Sequence, residues 1–139
     1  MLTAQEVFNS VLFHLRFQDG RSRLPALNLC AYRSENGKRC AVGLFIPNAE
    51  YGPHLEEMGV GGLLGVVEGP IKEFIAAHLS LLKKLQQVHD AWANWSGWAF
   101  NERGEAEMLE VAAEEGLLYV PPASTPRPWV HWMPEQRLE

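Results

Sequence analysis

Few side chains in this chain have the chemistry for nucleophilic, acid–base or metal-dependent catalysis. They are Cys30, Cys40, His14, His54, His78, His89, His131 and Asp90. A zinc site needs about four ligands that converge on one point, and the chain has neither a Cys-x-x-Cys motif nor two histidines four residues apart. A composite of Cys40, His54 and His89 stays open as a metal hypothesis, and Cys40 with either histidine stays open as a nucleophile–base pair. No cofactor is predicted.

His89 and Asp90 form the polar pair of most interest. On a helix over 71–95, His89 lies near the centre of the apolar face, and Gln86 and Asp90 are an i, i+4 pair on its rim. This pattern predicts a buried, hydrogen-bonded histidine in a structural polar cluster. Metal-dependent phosphohydrolases also use a His-Asp dipeptide, but they need a second aspartate elsewhere, and the only other one is Asp19. An enzyme is therefore not favoured. Its catalytic candidates would be Cys40, His54, His89 and Asp90.

The elements that position these residues are predicted to form an α+β fold. Three main helices are expected over 3–18, 71–95 and 104–115, packed with a β-hairpin over 28–46. Thr3 and Glu6 are typical of a capping box at the start of the first helix.

The hairpin prediction rests on Asn36-Gly37, because both residues tolerate the positive φ of a tight turn. A two-residue turn would pair Arg33 with Cys40 and Cys30 with Gly43. The two cysteines would then point to opposite faces of the hairpin, so we expect them to be reduced and not bonded to each other. A bulged loop that shifts the register by one residue would reverse this placement.

Glycine, tryptophan and proline mark the remaining segments. The glycine-rich stretch 49–70 is not followed by Gly-Lys-Ser/Thr, so loops are expected there rather than a phosphate-binding loop. Trp92, Trp95 and Trp98 recur every three residues, which favours core packing; exposed, they would suit a partner interface. A short strand is possible over 117–120. We expect one globular domain over 1–120 and an extended tail over 121–139, which holds five of the nine prolines.

Charge is unevenly spread along the chain. The net charge is −5, which argues against a nucleic-acid binder that relies on overall charge. Six basic residues against two acidic ones give 16–39 a balance of +4, and the rest carries −9. No stretch reaches the roughly 18 apolar residues of a membrane span, and no signal peptide is visible, so a cytoplasmic location is expected, in a host cell if the gene is a phage's.

The acidic last helix and the tail are predicted to carry the partner-binding surface. Six glutamates within 102–115 face a single arginine in that segment, Arg103, and would repel one another if left free. A basic partner surface would relieve that repulsion, and tryptophans on a proline-stiffened tail could anchor the contact or a dimer. The predicted contact residues are Glu105, Glu107, Glu110, Glu114, Trp129 and Trp132.

Two stretches together resemble a known family. One is Cys30-Ala31-Tyr32-Arg33 followed by Gly37-Lys38-Arg39-Cys40-Ala41-Val42-Gly43, Ile46-Pro47 and Tyr51; the other is Leu85-Gln86-Gln87-Val88-His89-Asp90. The combination is similar to small uncharacterised proteins of bacterial genomes, prophages and phages, over about residues 3–115. The resemblance implies a phage or prophage setting and brings no established activity, cofactor or catalytic residue.

Two functional hypotheses follow. The first is a non-enzymatic protein-interaction module, encoded by a phage or prophage, that binds a host or virion protein. The alternative is a small-ligand or nucleotide-binding protein, or a small hydrolase, that uses Cys40, His54, His89 and Asp90, with the basic segment 16–39 attracting an anion.

Overall fold

The structure is a computed structural model, and it describes residues 1–18, 20–24, 29–34, 37–56 and 58–122. Within these ranges the side chains of Leu24, Leu29 and Cys30 are left undescribed. The predictions for Trp129, Trp132, His131 and the 123–139 part of the tail lie outside the described residues, as does Asn36 of the predicted turn.

The chain forms five helices and two separate pairs of short strands over the described residues, and the α+β class is confirmed. The helices are α1 (Ala4–Phe17), α2 (Val60–Leu63), α3 (Pro70–Ala77), α4 (Leu79–Asp90) and α5 (Glu102–Glu115). The strands are β1 (Arg23–Leu24), β2 (Leu29–Cys30), β3 (Trp95–Ser96) and β4 (Ala99–Phe100), which form the antiparallel pairs β1–β2 and β3–β4. Short 3₁₀ turns lie at Gly43–Phe45, Pro53–Leu55 and Trp92–Asn94.

The first helix forms as its sequence predicts. The Glu6 N–H donates to Thr3 Oγ1 at 3.1 Å, and the Thr3 N–H donates to a Glu6 carboxylate oxygen at 3.0 Å. This reciprocal capping box satisfies two amides that the first helical turn leaves without partners. The face of α1 that holds Val7, Phe8 and Leu12 is buried in the core.

The single helix predicted over 71–95 is wrong, because the chain forms two helices that meet at His78 and end at Asp90. Two side chains that follow Asp90 donate hydrogen bonds to the last carbonyls of α4. The Asn94 amide donates to the Val88 carbonyl at 2.9 Å, and the Trp95 indole N–H donates to the His89 carbonyl at 3.0 Å. Helix ends need such partners. The chain then turns back through the β3–β4 hairpin instead of continuing as a helix.

The predicted hairpin over 28–46 is also wrong in detail. Strand β2 pairs with β1, so the cross-strand backbone partner of Cys30 is Arg23 and not Gly43. Only an isolated bridge joins Arg33 to Arg39, one residue away from the predicted register. Residues 40–47 are all buried, and they form a turn and a 3₁₀ helix rather than a strand. Residues 117–120, where the sequence allows a short strand, pair with no strand among the described residues.

The core lies between the helices and the buried segment 40–47. Helix α4 is central, since it packs against α1, α2, α3 and α5. The core also holds Phe45 and Phe74, whose ring centroids are 4.9 Å apart. Within the described ranges, no helix has the length and apolar character needed to cross a bilayer.

Candidate functional site

His89 lies at the end of α4 and is completely buried. The backbone N–H of Ser22 donates to His89 Nε2 at 3.1 Å, and His89 Nδ1 lies 2.8 Å from Asp90 Oδ1. Because Nε2 accepts a hydrogen bond, the ring proton must be on Nδ1, from which it is donated to the carboxylate. The prediction of a buried, hydrogen-bonded histidine is confirmed.

The i, i+4 pair on the rim of α4 is confirmed as well. The Gln86 side-chain N–H donates to Asp90 Oδ1 at 2.7 Å, and its carbonyl oxygen accepts from the Val42 N–H at 3.1 Å. The Asp90 side chain is 39% exposed, whereas Gln86 reaches the buried 40–47 segment. This arrangement ties the end of α4 to the turn that follows Cys40.

The polar network continues to the end of α1. The Ser22 hydroxyl donates to the Lys38 carbonyl at 3.0 Å, and His14 Nε2 lies 2.7 Å from the Arg39 carbonyl. The Gln18 side chain binds both the N–H of Arg39, at 2.7 Å, and its carbonyl, at 2.9 Å. Burial lowers the pKa of His14 to about 4, although its hydrogen bond to Arg39 opposes the shift. His14 is therefore neutral at neutral pH.

Ser22, His89 and Asp90 have the residue types of a catalytic triad without its geometry. In a triad the serine hydroxyl donates to the histidine. Here the backbone N–H of Ser22 holds that position, its hydroxyl points to the Lys38 carbonyl, and the residue has no exposed surface. This contact spans 67 positions, and nothing in the sequence signals it. The cluster positions the chain and offers no nucleophile.

The other catalytic candidates are not brought together. Cys40 is buried and free, it accepts a hydrogen bond from the Gly43 N–H at 3.2 Å, and burial raises the pKa of its thiol. A buried thiol of this kind is a poor nucleophile. His54 is exposed on the Pro53–Leu55 turn. Among the described residues no group of three or more His, Cys, Asp or Glu side chains could hold a metal ion, so the Cys40–His54–His89 composite does not form. Since Cys40 is free, it is not bonded to Cys30, as predicted.

Glu56, for which the sequence carries no signal, joins two parts of the motif over residues 30–51. Its carboxylate accepts from the N–H groups of Tyr32, at 2.9 Å, and Arg33, at 3.2 Å, and from the Tyr51 hydroxyl at 2.5 Å. Burial and this carboxylate raise the pKa of Tyr51 to about 12. The Arg33 guanidinium lies over the Tyr51 ring, 4.7 Å from its centroid. These contacts fix the backbone around residue 32 and give the motif a structural role.

The three tryptophans after α4 have different environments. Trp95 is buried, packs edge-on against His89 and Phe100, and confirms the expected core role. Trp92 and Trp98 are 75% and 69% exposed, so the same expectation is wrong for them. A cleft of about 370 Å³ lies between them and the loop over 20–23, which we call the basic loop. We call the cleft the tryptophan cleft; its lining is Gly20, Arg21, Arg23, Trp92, Trp95, Gly97 and Trp98.

Contacts with neighbouring residues fix both walls of the tryptophan cleft. A Cβ at Gly20, whose φ is +90°, would stand 2.8 Å from the Trp98 ring, so only glycine lets the indole approach this closely. Lys38 Nζ lies 4.4 Å from the centroid of the Trp98 ring, within cation–π distance. Arg21 donates to the Asp90 carbonyl at 3.0 Å. The buried network thus anchors the loop that forms one wall.

Half of the glutamates in 102–115 have partners within the fold. Arg16 forms a bidentate ion pair with Glu105, at 2.8 and 2.7 Å, and the Tyr119 hydroxyl donates to the same carboxylate. Lys84 pairs with Glu114 at 3.4 Å and with Glu115 at 2.8 Å. The interpretation that these glutamates are left free is therefore wrong for Glu105, Glu114 and Glu115. Within the described ranges no ion pair reaches Glu102, Glu107 or Glu110.

Comparison with known proteins places the chain in no family: no family model, no curated protein and no solved structure matches it. The resemblance to small phage and prophage proteins stays a prediction, and function must be inferred from the geometry.

Proposed function

We propose that the protein is a non-enzymatic interaction module, encoded by a phage or prophage, that binds a basic segment of a host or virion protein with the outward face of α5. The observation that carries the proposal is the exposure of Leu109, 53%, on a helix whose opposite face is buried. At about 100° per residue, Ala106, Leu109 and Ala113 lie within about 60° of arc, and all three are exposed. We call these three residues the α5 stripe.

Charge selects the kind of partner. Glu102 and Glu110 are exposed beside the α5 stripe, and no described cation pairs with them. A partner helix or strand with one apolar side chain for Leu109, and with lysine or arginine on both sides of it, would meet this surface. Its apolar contact would supply affinity, while its charges would accelerate association and orient it.

The state of the catalytic candidates supports binding over catalysis. His89 and Cys40 are buried, and the Nε2 and Nδ1 atoms of His89 both have partners within the fold. An acid–base or nucleophilic group must reach its substrate within hydrogen-bond distance. The burial of His89 and Cys40 therefore supports the interaction module over a hydrolase or ligand-binding site built on these two residues.

The test is selection of ligands from a displayed library of random peptides, followed by titration of the synthesised winners. We expect peptides rich in lysine and arginine, and a loss of affinity of about tenfold in Leu109→Arg, since anchoring side chains contribute more than about 1 kcal/mol. Val66→Arg is the matched control, because Val66 is 40% exposed and lies outside α5. It should bind the peptides as the parent does.

A charge pair of variants tests the electrostatic part separately. Glu110→Lys should weaken the selected peptides, and Glu73→Lys on α3, also exposed, should not. Acidic or uncharged winners would contradict the proposal. So would equal affinities for Leu109→Arg and Val66→Arg.

A further inference from the structure

We infer that the tryptophan cleft binds a single strand of nucleic acid, with a base stacked on an exposed indole and the backbone phosphates beside the arginines. Single-strand sites combine aromatic platforms for the bases with a basic groove for the backbone. Trp92 and Trp98 are the two most exposed aromatic side chains among the described residues, and they border one cleft. This site shares no residue with the α5 stripe and does not depend on the function proposed for it.

The charge of the cleft is opposite to that of the whole chain. Arg21 and Arg23 line it, and Lys38 lies against the Trp98 ring. These three cations come from the 16–39 segment, whose balance is +4 while the chain as a whole carries −5. Affinity for phosphates depends on the cations that contact them more than on distant charges, because charges beyond about 10 Å are screened at ordinary salt. A net negative chain can therefore hold an anionic strand at this site.

The exposure of both indoles favours a strand over a free nucleotide. Sites for small ligands enclose them and bury about 70–90% of their surface. Trp92 and Trp98 instead leave most of their surface in contact with solvent, as platforms beside an open groove do. A strand can place one base on each platform and continue past the cleft at both ends.

The cleft is organised before any ligand arrives. The close approach to Gly20 and the contact with Lys38 hold the Trp98 ring in one position. On the other wall, the Ser22 N–H is bound to His89 and the Arg21 guanidinium to the Asp90 carbonyl. Such preorganisation lowers the entropy that binding must overcome. It also gives buried His89 and the adjacent Asp90 a role as positioning residues for the basic loop.

The experiment is fluorescence anisotropy of a labelled oligothymidylate of about 12 nucleotides, with the full chain at about 50 mM salt. We expect saturable binding in the micromolar range and quenching of tryptophan fluorescence. Trp98→Ala should weaken binding at least fivefold, and Trp98→Phe should restore most of it because phenylalanine still stacks. Trp92→Ala, at a more exposed position, provides a second variant if Trp98→Ala melts early.

A matched pair of variants tests the phosphate contacts. Arg23→Gln should lower affinity and reduce the slope of log affinity against log salt by about 0.7, the value for one phosphate contact of a single strand. Arg103→Gln removes the same charge from the exposed start of α5 and should change neither.

Three outcomes would overturn the inference. The first is no binding of the strand at about 100 µM, the weak end of non-specific affinities. The second is equal affinity for thymidine monophosphate, which would make the cleft a nucleotide pocket. The third is tighter binding of a polyglutamate peptide than of the strand, which would make it a site for acidic protein segments.

Discussion

Replacing His89 with alanine tests the buried network most directly. The change removes the acceptor for the Ser22 N–H, and Ser22 has no exposed surface through which water could replace it. A buried amide left without a partner costs about 1–3 kcal/mol. Loss of the ring also leaves a cavity beside Trp95, which adds about 1 kcal/mol or more. We therefore expect the free energy of unfolding to fall by about 3 kcal/mol.

Two further substitutions separate the contributions of the ring nitrogens. Glutamine at position 89 can place an oxygen near Nε2 and accept from the Ser22 N–H, whereas asparagine can place an N–H near Nδ1 and donate to Asp90. We expect His89→Gln to be the milder change. His89→Gln leaves Asp90 without the bond from position 89, whereas His89→Asn leaves the buried Ser22 amide without an acceptor. Asp90 is 39% exposed and keeps its bond from Gln86, so the loss of its partner costs less free energy than the loss at the buried amide.

Urea denaturation followed by circular dichroism measures these differences. His54→Ala is the control, because His54 is exposed, and it should change stability by less than about 0.5 kcal/mol. A loss below about 1 kcal/mol in His89→Ala, or a milder effect of asparagine than of glutamine, would refute the assignment of the Ser22–His89 bond as the main contribution.

Three more predictions concern other buried contacts. Burial lowers the pKa of His14 from 6.5 to about 4, so the unfolded chain binds this proton at a higher pH than the folded chain does. The free energy of unfolding should therefore decline by up to about 3 kcal/mol as the pH falls from 6.5 to 4, and it should decline less steeply in His14→Gln. Urea titrations at several pH values measure this decline. Gly43→Ala should lower the free energy of unfolding by about 3 kcal/mol, because its Cβ would lie 1.9 Å from a backbone oxygen, while Gly59→Ala, which meets nothing within 4 Å, should be tolerated. Glu105→Gln should lower thermal stability by breaking a bidentate pair whose side chains are 8% and 16% exposed, and Glu110→Gln should leave the melting temperature unchanged.

Local sequence signals predicted the parts of the fold that local interactions determine. The capping box of α1 involves residues three apart, and the Gln86–Asp90 bond joins neighbours on one helix face. Gly116 ends α5 in the left-handed conformation, as a glycine after a helix commonly does. In each case the partners lie within one helical turn, so their spacing alone specifies the contact.

Two elements were predicted wrongly because their local sequence patterns fit more than one secondary structure. Tryptophans three residues apart fit a helix, but the Trp95 indole and the Asn94 amide bind the terminal carbonyls of α4 and stop it there. The apolar run over 40–47 fits a strand by periodicity as well as it fits a buried turn. The buried turn places Gly43 against the Tyr32 carbonyl, in a space that a Cβ atom would not fit.

Side-chain partners distant in sequence could not be predicted from one chain. Ser22 and His89 are 67 positions apart, Glu56 and Tyr32 are 24 apart, and Arg16 and Glu105 are 89 apart. Neither the residue types nor their local spacing indicate which residue each of them contacts. Tertiary packing brings them together: that of the loop over 20–23 against the end of α4 for Ser22 and His89, and that of α1 against α5 for Arg16 and Glu105.

The same packing connects the buried network to the surface. The loop over 20–23 touches both, since Ser22 is bound to His89 underneath while Arg21 and Arg23 line the tryptophan cleft. The loop holds two adjacent hydrogen bonds to the end of α4, one at the His89 ring and one at the Asp90 carbonyl. The Ser22 bond fixes the backbone of the loop, and the Arg21 bond holds the guanidinium of the preceding residue against the end of α4. A buried histidine can in this way still determine the geometry of a surface cleft.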